Sequence, residues 1–338
     1  MPSTEREKFA QAFRWMLLAR LLEEKMASLY RGGKITGGVF LGKGQEALSV
    51  SVGMSLKRGE NGDFFAPLIR DQAGRLAFGE NILDATRTYL GSRLGPMRGR
   101  DGNVHRGNPQ EGCFAMISHL GAMISVVCGA LMARRFKGDT ESIGATCIGE
   151  GGTSTGAFHE AMNLAAVERL PLVMVVANNQ YAYSTPNSRQ FACENLVDRA
   201  VGYGIDGHTV DGTDLSACFQ VVGEAVNRAR GGCGPQLIVA NLLRLAGHGE
   251  HDDASYIDPA LKASPVGRDC LKVAEQMLLE REWVSPEELE SWRDDAIRQV
   301  EEAVATAQRE PAPDPNLEVW CALSTPHLAD SFTSEQPT

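Results

Sequence analysis

The 338-residue chain has no excess of basic residues: 33 Lys and Arg are outnumbered by 43 Asp and Glu, for a net charge of −10. Proteins that track a nucleic-acid backbone neutralise its phosphates with a basic surplus. A general nucleic-acid binder is therefore excluded, although a confined anion pocket is not. The chain has eight cysteines but no C-x-x-C pair, which argues against a structural zinc site. Several cysteines, Cys128 and Cys147 among them, sit in apolar runs, where a free thiol behaves as a small hydrophobe. That usage points to a reducing, cytoplasmic setting rather than a disulfide scaffold. The N-terminal MPSTEREKFAQAF is charged and amphipathic and lacks a signal-peptide pattern. No apolar stretch reaches about 18 residues without a charge or turn signal, so no membrane span is expected. No internal repeat is present.

What remains is an ordinary globular composition, 43% hydrophobic and 22% charged, long enough for one large domain or two small ones. Phe9, Phe13, Leu17, Leu21, Leu22, Met26 and Leu29 recur at three- and four-residue spacing and predict a helix over 5–30, stopped by Gly32-Gly33. A second helix is expected from about Gln45 to Lys57, and a short strand at DFFAP. Residues 93–113, rich in glycine, read as a long loop that carries His105. An alanine-rich helix over 119–136 is followed by a strand (143–148), a helix (155–169) and a strand (172–177). A helix at 214–230 then leads into the apolar run PQLIVANLL. This alternation predicts an α/β fold with a doubly wound, mostly parallel sheet flanked by helices. Residues 246–266 are polar and aperiodic. Ser285-Pro286-Glu287-Glu288 combines a capping serine, a first-turn proline and a reciprocal glutamate, so a last helix should run from there to about 308. The expected division is an N-terminal helix and loop (1–44), an α/β domain (45–282), a C-terminal helical extension (283–325) and a loose tail (326–338).

Two features in CIGEGGTSTGAFHEAMNLAAVERLPLVMVVANNQYAYSTP are unusual for core segments. One strand ends in an acid between glycines, Gly149-Glu150-Gly151, and the next ends in Asn178-Asn179. A single right-handed crossover would bring both to the C-terminal edge of a parallel sheet, where open α/β sheets bind ligands. Gly149, Gly151 and Gly152 leave room for a ligand to approach the backbone. A carboxylate oxygen, an amide oxygen and a loop carbonyl make a hard donor set, poor for zinc and good for Mg²⁺ shared with phosphate oxygens. The bland alternative is a glycine turn with a capping acid beside an ordinary asparagine turn. GEGGTS matches neither the dinucleotide glycine spacing nor the Walker lysine pattern.

G-E-G followed after 26 residues by N-N resembles the thiamine diphosphate motif. The surrounding residues resemble the α subunit of the decarboxylating component of 2-oxo acid dehydrogenase complexes. The same family pattern shows in Gly44-Gln45-Glu46-Ala47, in Ile69-Arg70-Asp71, in GRDGNVH, and in Arg244, Gly247, His248, Asp252 and Asp253, in order across about residues 10–315. The resemblance implies thiamine diphosphate and Mg²⁺ as cofactors, with the metal held by Glu150, Asn179 and the Tyr181 carbonyl. It assigns Arg70 to the diphosphate, a surface salt bridge to Asp71 being the plain alternative. It sets Ser118 and Leu120 against the cofactor rings, with Leu120 as the wedge. His105 and His248 would face the reacting end, His248 supporting acyl transfer, and Arg244 would order its loop through ion pairs with Asp252 or Asp253.

The remaining histidines, His119, His159, His208 and His327, read as structural, and His251 stands open. Three positions depart from the family. Ile69 replaces the usual tyrosine and loses a phosphate donor. Phe40 replaces a histidine near the substrate pocket. Gly249 replaces the serine that animal relatives phosphorylate. Implied partners are a β subunit, in an α2β2 heterotetramer with the active site at the subunit interface, a lipoyl-bearing acyltransferase and a small 2-oxo acid, pyruvate or branched-chain. A subunit of an acetoin-cleaving or transketolase-like enzyme is the alternative.

Overall fold

The computed structural model describes residues 4–317. Helix α1 (Glu5–Arg31) begins at a capping box in which Thr4 and Glu7 satisfy each other's backbone N–H, and ends at Gly32. Helix α2 (Glu46–Ser55) and strand β1 (Phe64–Ala66) follow, then short helices α3 (Gln72–Ala77) and α4 (Ile82–Tyr89), and the long loop. Next come α5 (Ala122–Phe136), β2 (Gly144–Gly149), α6 (Gly156–Val167) and β3 (Leu172–Asn178). A small hairpin pairs β4 (Tyr181–Ala182) with β5 (Thr185–Pro186). Helix α7 (Arg199–Tyr203), β6 (Asp206–Asp211), α8 (Leu215–Arg230) and β7 (Gln236–Asn241) complete the α/β part. Helices α9 (Pro259–Ala263), α10 (Cys270–Glu280) and α11 (Pro286–Arg309) close the described chain. The expected tail at 326–338, together with His327, lies outside the described residues.

The five long strands form one parallel sheet in the order β1-β2-β3-β7-β6. Side chains alternate across it as the two-residue period demands. Leu172, Met174 and Val176 of β3 face α5 and α6, where they meet Ile124, Val127, Phe158 and Met162. Val173, Val175 and Ala177 face the other way, toward Leu48 and Val52 of α2 and Val222 of α8. Both faces are covered, so the strand is apolar throughout, as in parallel sheets generally. Each large side chain buried there contributes on the order of 1.5–3 kcal/mol.

A third apolar cluster joins α1 to α10 and α11. Within it, Arg20 donates to Glu46 (2.5 Å) and to both oxygens of Asp269 (2.9 and 3.0 Å), tying α1 to α2 and to the cap of α10. Helix α11 begins with the expected capping box, Ser285 with Glu288, and Pro286 in the first turn.

The elements include several that were not expected, helices α3, α4, α7, α9 and α10 and the β4–β5 hairpin among them. Helix α5 starts at Ala122, because Gly121 caps it at φ 87°; Ser118 and Leu120 therefore lie in the preceding turn. Strand β6, DGHTVD, has no apolar run because it is a largely exposed edge strand. Helix α2 ends at Ser55, two residues short of Lys57. No helix among the described residues is long and apolar enough to cross a membrane. The described cysteines are all free thiols, and Cys128, Cys147, Cys218 and Cys270 are buried.

Candidate active site

The β2–α6–β3 crossover pairs β2 with β3 from Gly144 and Leu172 to Gly149 and Ala177. Glu150 and Asn179 therefore emerge side by side at the C-terminal edge of the sheet. Both are buried, Glu150 to 1% exposure. The Asn179 N–H donates to Glu150 Oε2 at 3.1 Å, and Gln190 Nε2 donates to Oε1 at 3.2 Å. Among the described residues no cation pairs with this carboxylate, and burial raises its pKa. Asn179 Oδ1 accepts only a long bond, 3.4 Å, from the Tyr181 N–H. Asn178 acts elsewhere, its amide linking Asn241 at the end of β7 to Asn187 beyond the hairpin.

The glycines of the turn serve different ends. A Cβ on Gly149 would meet nothing within 4 Å, so that residue fronts open space. A Cβ on Gly151 would meet the Ala182 Cβ at 2.3 Å, and one on Gly152 the Ile148 side chain at 2.6 Å. Those two glycines let the turn pack against the hairpin and the strand.

A cavity of about 480 Å³ opens at this edge. Its walls include Phe40, Ile69, Arg70, Met116, Ser118 and Leu120, besides the crossover residues, Tyr181, Arg244 and His248. Arg70 is 7% exposed and donates to two carbonyls, Leu41 O (2.8 Å) and His248 O (2.6 Å). The surface salt bridge to Asp71 does not form; Asp71 turns inward and accepts the Leu68 N–H at 2.7 Å. Burial, and next the nearby Arg244, push the Arg70 pKa down to about 10. Among the described residues no anion is in contact with this guanidinium.

Arg244 is also buried. It donates to the carbonyls of Tyr181 (3.1 Å), Tyr183 (2.7 Å) and Ala246 (3.0 Å), and to the Tyr256 hydroxyl. Tyr256 in turn donates to Asp252 at 2.6 Å. The expected ion pair of Arg244 with Asp252 or Asp253 is thus corrected: a tyrosine hydroxyl stands between Arg244 and Asp252. Asp252 instead caps its own loop, accepting the His248 N–H at 2.6 Å.

The His248 ring lies 5.3 Å from Phe40, edge to face, and 4.3 Å from Tyr183. Burial first, then the two arginines, push its pKa down to about 4, so it is neutral near pH 7. His105 does not line the cavity but reaches it through Ser118 Oγ, 3.0 Å from Nε2. His251 lies 3.3 Å from the Tyr183 hydroxyl. His208 contacts Gln236, and His159 contacts Tyr203.

The sequence profile of the family described as "Dehydrogenase E1 component" matches residues 13–316. The chain belongs to the dehydrogenase E1 component family. The α subunit of 2-oxoisovalerate dehydrogenase from Bacillus subtilis is 36% identical over 316 residues, covering 90% of this chain and 93% of the relative. The α subunit of acetoin:2,6-dichlorophenolindophenol oxidoreductase from Cupriavidus necator is 34% identical, covering 92% of each chain. The pyruvate dehydrogenase E1 component subunit alpha of Rhizobium meliloti is 30% identical, covering 91% of this chain and 88% of the relative.

As an E1 α-type chain it carries further groups at the cavity that sequence reasoning missed. Gln190 holds Glu150 from 40 positions away, a distance no local pattern reveals. Tyr183 sits at φ 56°, a left-handed backbone uncommon for a non-glycine residue, and its ring covers His248. Asp101 lies 2.7 Å from His105 Nδ1; its place four residues before a histidine in a glycine loop was the available signal.

Proposed function

We propose that the cavity holds thiamine diphosphate, the cofactor of the E1 family, through a magnesium ion. The chain would act with a β subunit, as an α2β2 heterotetramer in the cytoplasm, in the oxidative decarboxylation of pyruvate or a branched-chain 2-oxo acid. The acyl group passes to a lipoyl-bearing acyltransferase. One observation carries the reading: among the described residues Glu150 is a buried carboxylate with no cation paired to it, Arg70 is a buried cation hydrogen-bonded only to carbonyls, and both face one cavity. A divalent cation answers the first and a diphosphate the second.

The donors suit magnesium. No group of three or more His, Cys, Asp or Glu side chains clusters for a metal among the described residues. One carboxylate, one amide and one carbonyl leave positions for phosphate oxygens, as Mg²⁺ prefers. Glu150 and Asn179 would hold the ion through side-chain oxygens. The Tyr181 carbonyl, already accepting from Arg244, would offer its second lone pair. The open space at Gly149 admits the diphosphate to the turn, and Leu120 and Ser118 would bear on the rings.

When bound, the thiazolium supplies the sink for the electrons released with carbon dioxide. The chain's part is to orient and to manage protons. His248, neutral near pH 7, can accept or donate a hydrogen bond at the reacting end. Apolar residues exposed on the outer faces of α5 and α6, Val126, Leu164 and Val167, give a partner subunit a surface to cover.

Calorimetric titration with thiamine diphosphate, with and without Mg²⁺, tests the site. Binding should require the metal and be lost in Glu150→Ala; unchanged binding in that variant refutes the assignment. Reconstitution with a β subunit and assay on pyruvate, 3-methyl-2-oxobutanoate and acetoin tests the reaction. Turnover of acetoin alone would favour the reading that the acetoin-named relatives suggest, and turnover by the lone chain would remove the need for a partner.

A further inference from the structure

Asp101, His105 and Ser118 form a linear set on the long loop and on the turn before α5. Asp101 Oδ2 lies 2.7 Å from His105 Nδ1, and His105 Nε2 lies 3.0 Å from Ser118 Oγ. An ionised carboxylate can only accept hydrogen bonds, so when the imidazole carries one proton, Asp101 holds it on Nδ1. Nε2 then presents a lone pair, and the Ser118 hydroxyl must donate to it. Among the described residues no donor points at the Ser118 oxygen, and Ser118 lines the cavity. Ser118 is exposed at the rim of the cavity, and the His105 and Asp101 side chains behind it are 26% and 31% exposed. The cavity rim is therefore joined to Asp101 by three groups in hydrogen-bond contact, with water in reach of each.

The geometry points to a proton relay, Ser118–His105–Asp101, that carries protons between the ligand in the cavity and solvent, with Asp101 as the positioning residue that sets its direction. In the outward step, a proton leaving the bound molecule goes to Ser118 Oγ while the Ser118 proton moves to His105 Nε2. The imidazolium so formed is held by the Asp101 carboxylate until Nε2 releases its proton to water, which restores the imidazole with its proton on Nδ1. The inward step reverses these transfers, and no electrons move between groups. His105 and Ser118 thus act as one unit, and Asp101 acts through His105 without touching the ligand.

This inference rests on the proposed 2-oxo acid chemistry, and its test separates the two. The α–β complex is assayed on 2-oxo acids with 2,6-dichlorophenolindophenol as acceptor, comparing wild type with Asp101→Asn, Ser118→Ala and the double variant. Asn is isosteric but can donate to Nδ1, which releases the tautomer. Each single variant should lower kcat on the order of 10- to 100-fold, and Asp101→Asn should keep KM and thiamine diphosphate affinity within about twofold of wild type. The double variant should be no worse than the poorer single, because residues that act as a unit are not additive. Unchanged kcat in Asp101→Asn, or losses that multiply, overturns the relay. A silent wild type fails the 2-oxo acid reading instead. In that event ¹⁵N histidine spectra of the complex, assigned with His105→Gln, still decide the relay. Wild type should show Nδ1 protonated and Nε2 bare, and the opposite tautomer refutes it.

Discussion

Replacing Arg70 with methionine separates a ligand-binding cation from a structural one. In the free chain the guanidinium is buried beside Arg244, and the drop of its pKa to about 10 amounts to about 3 kcal/mol unfavourable to the charge. Methionine fills most of the volume and removes that cost. It also leaves the Leu41 and His248 carbonyls without their donor, at about 1–3 kcal/mol each. The two effects nearly cancel, so the melting temperature of the free Arg70→Met chain should lie within about 4 °C of wild type.

Ligand binding should respond quite differently. A charge-assisted hydrogen bond is worth about 1.5–3 kcal/mol, so affinity for thiamine diphosphate with Mg²⁺ should fall about 10- to 150-fold. Scanning fluorimetry gives the melting temperatures, and a ligand titration gives the affinity. At a hundredfold excess over its Kd, wild type should gain about 2.7 kcal/mol, and the variant at the same ligand concentration only about 0.3–1.4 kcal/mol. A large loss of stability in the free variant with unchanged affinity would make Arg70 a structural residue and refute the reasoning.

Other consequences are as direct. Gly149→Ala should fold with near wild-type stability, because nothing lies within 4 Å of its Cβ and its φ is −80°, yet bind thiamine diphosphate more weakly; Gly151→Ala should instead lower the melting temperature, since its Cβ meets the hairpin at 2.3 Å. Ser285→Ala should cost about 1 kcal/mol by removing the cap of α11, read as a drop of about 2–4 °C in thermal denaturation. The His248 pKa is lowered to about 4, so an unfolded chain takes up the proton first as pH falls. Stability should decline between about pH 6.5 and about pH 4, by about 1 kcal/mol after allowance for solvent screening of a half-exposed ring. His248→Gln should flatten that part of the pH–stability curve; an unchanged curve assigns the decline to other groups.

The central crossover was legible because two apolar runs of strand length flank a helical segment, and that arrangement admits one handedness. The caps of α1 and α11 were legible because capping is local. Strand β6 was not, since an edge strand needs no apolar run. Glu150 and Asn179 were readable as a pair, since the crossover alone brings them together. How Arg244 and Arg70 are held was not, because their partners are backbone carbonyls, and carbonyls carry no sequence identity. The same holds for Tyr183, whose ring reaches His248 only through a left-handed backbone that nothing in NNQYAYSTP demands.

The Arg244 fork also has a mechanical consequence. One side chain grips carbonyls in the β4–β5 hairpin, at Tyr181 and Tyr183, and on the His248 loop, at Ala246. The hairpin and the loop are therefore hinged on one rigid plane of five donors. Whatever stiffens the hairpin at Tyr181 should slow hydrogen exchange across residues 246–256, a segment that can respond to an occupied metal site through Arg244.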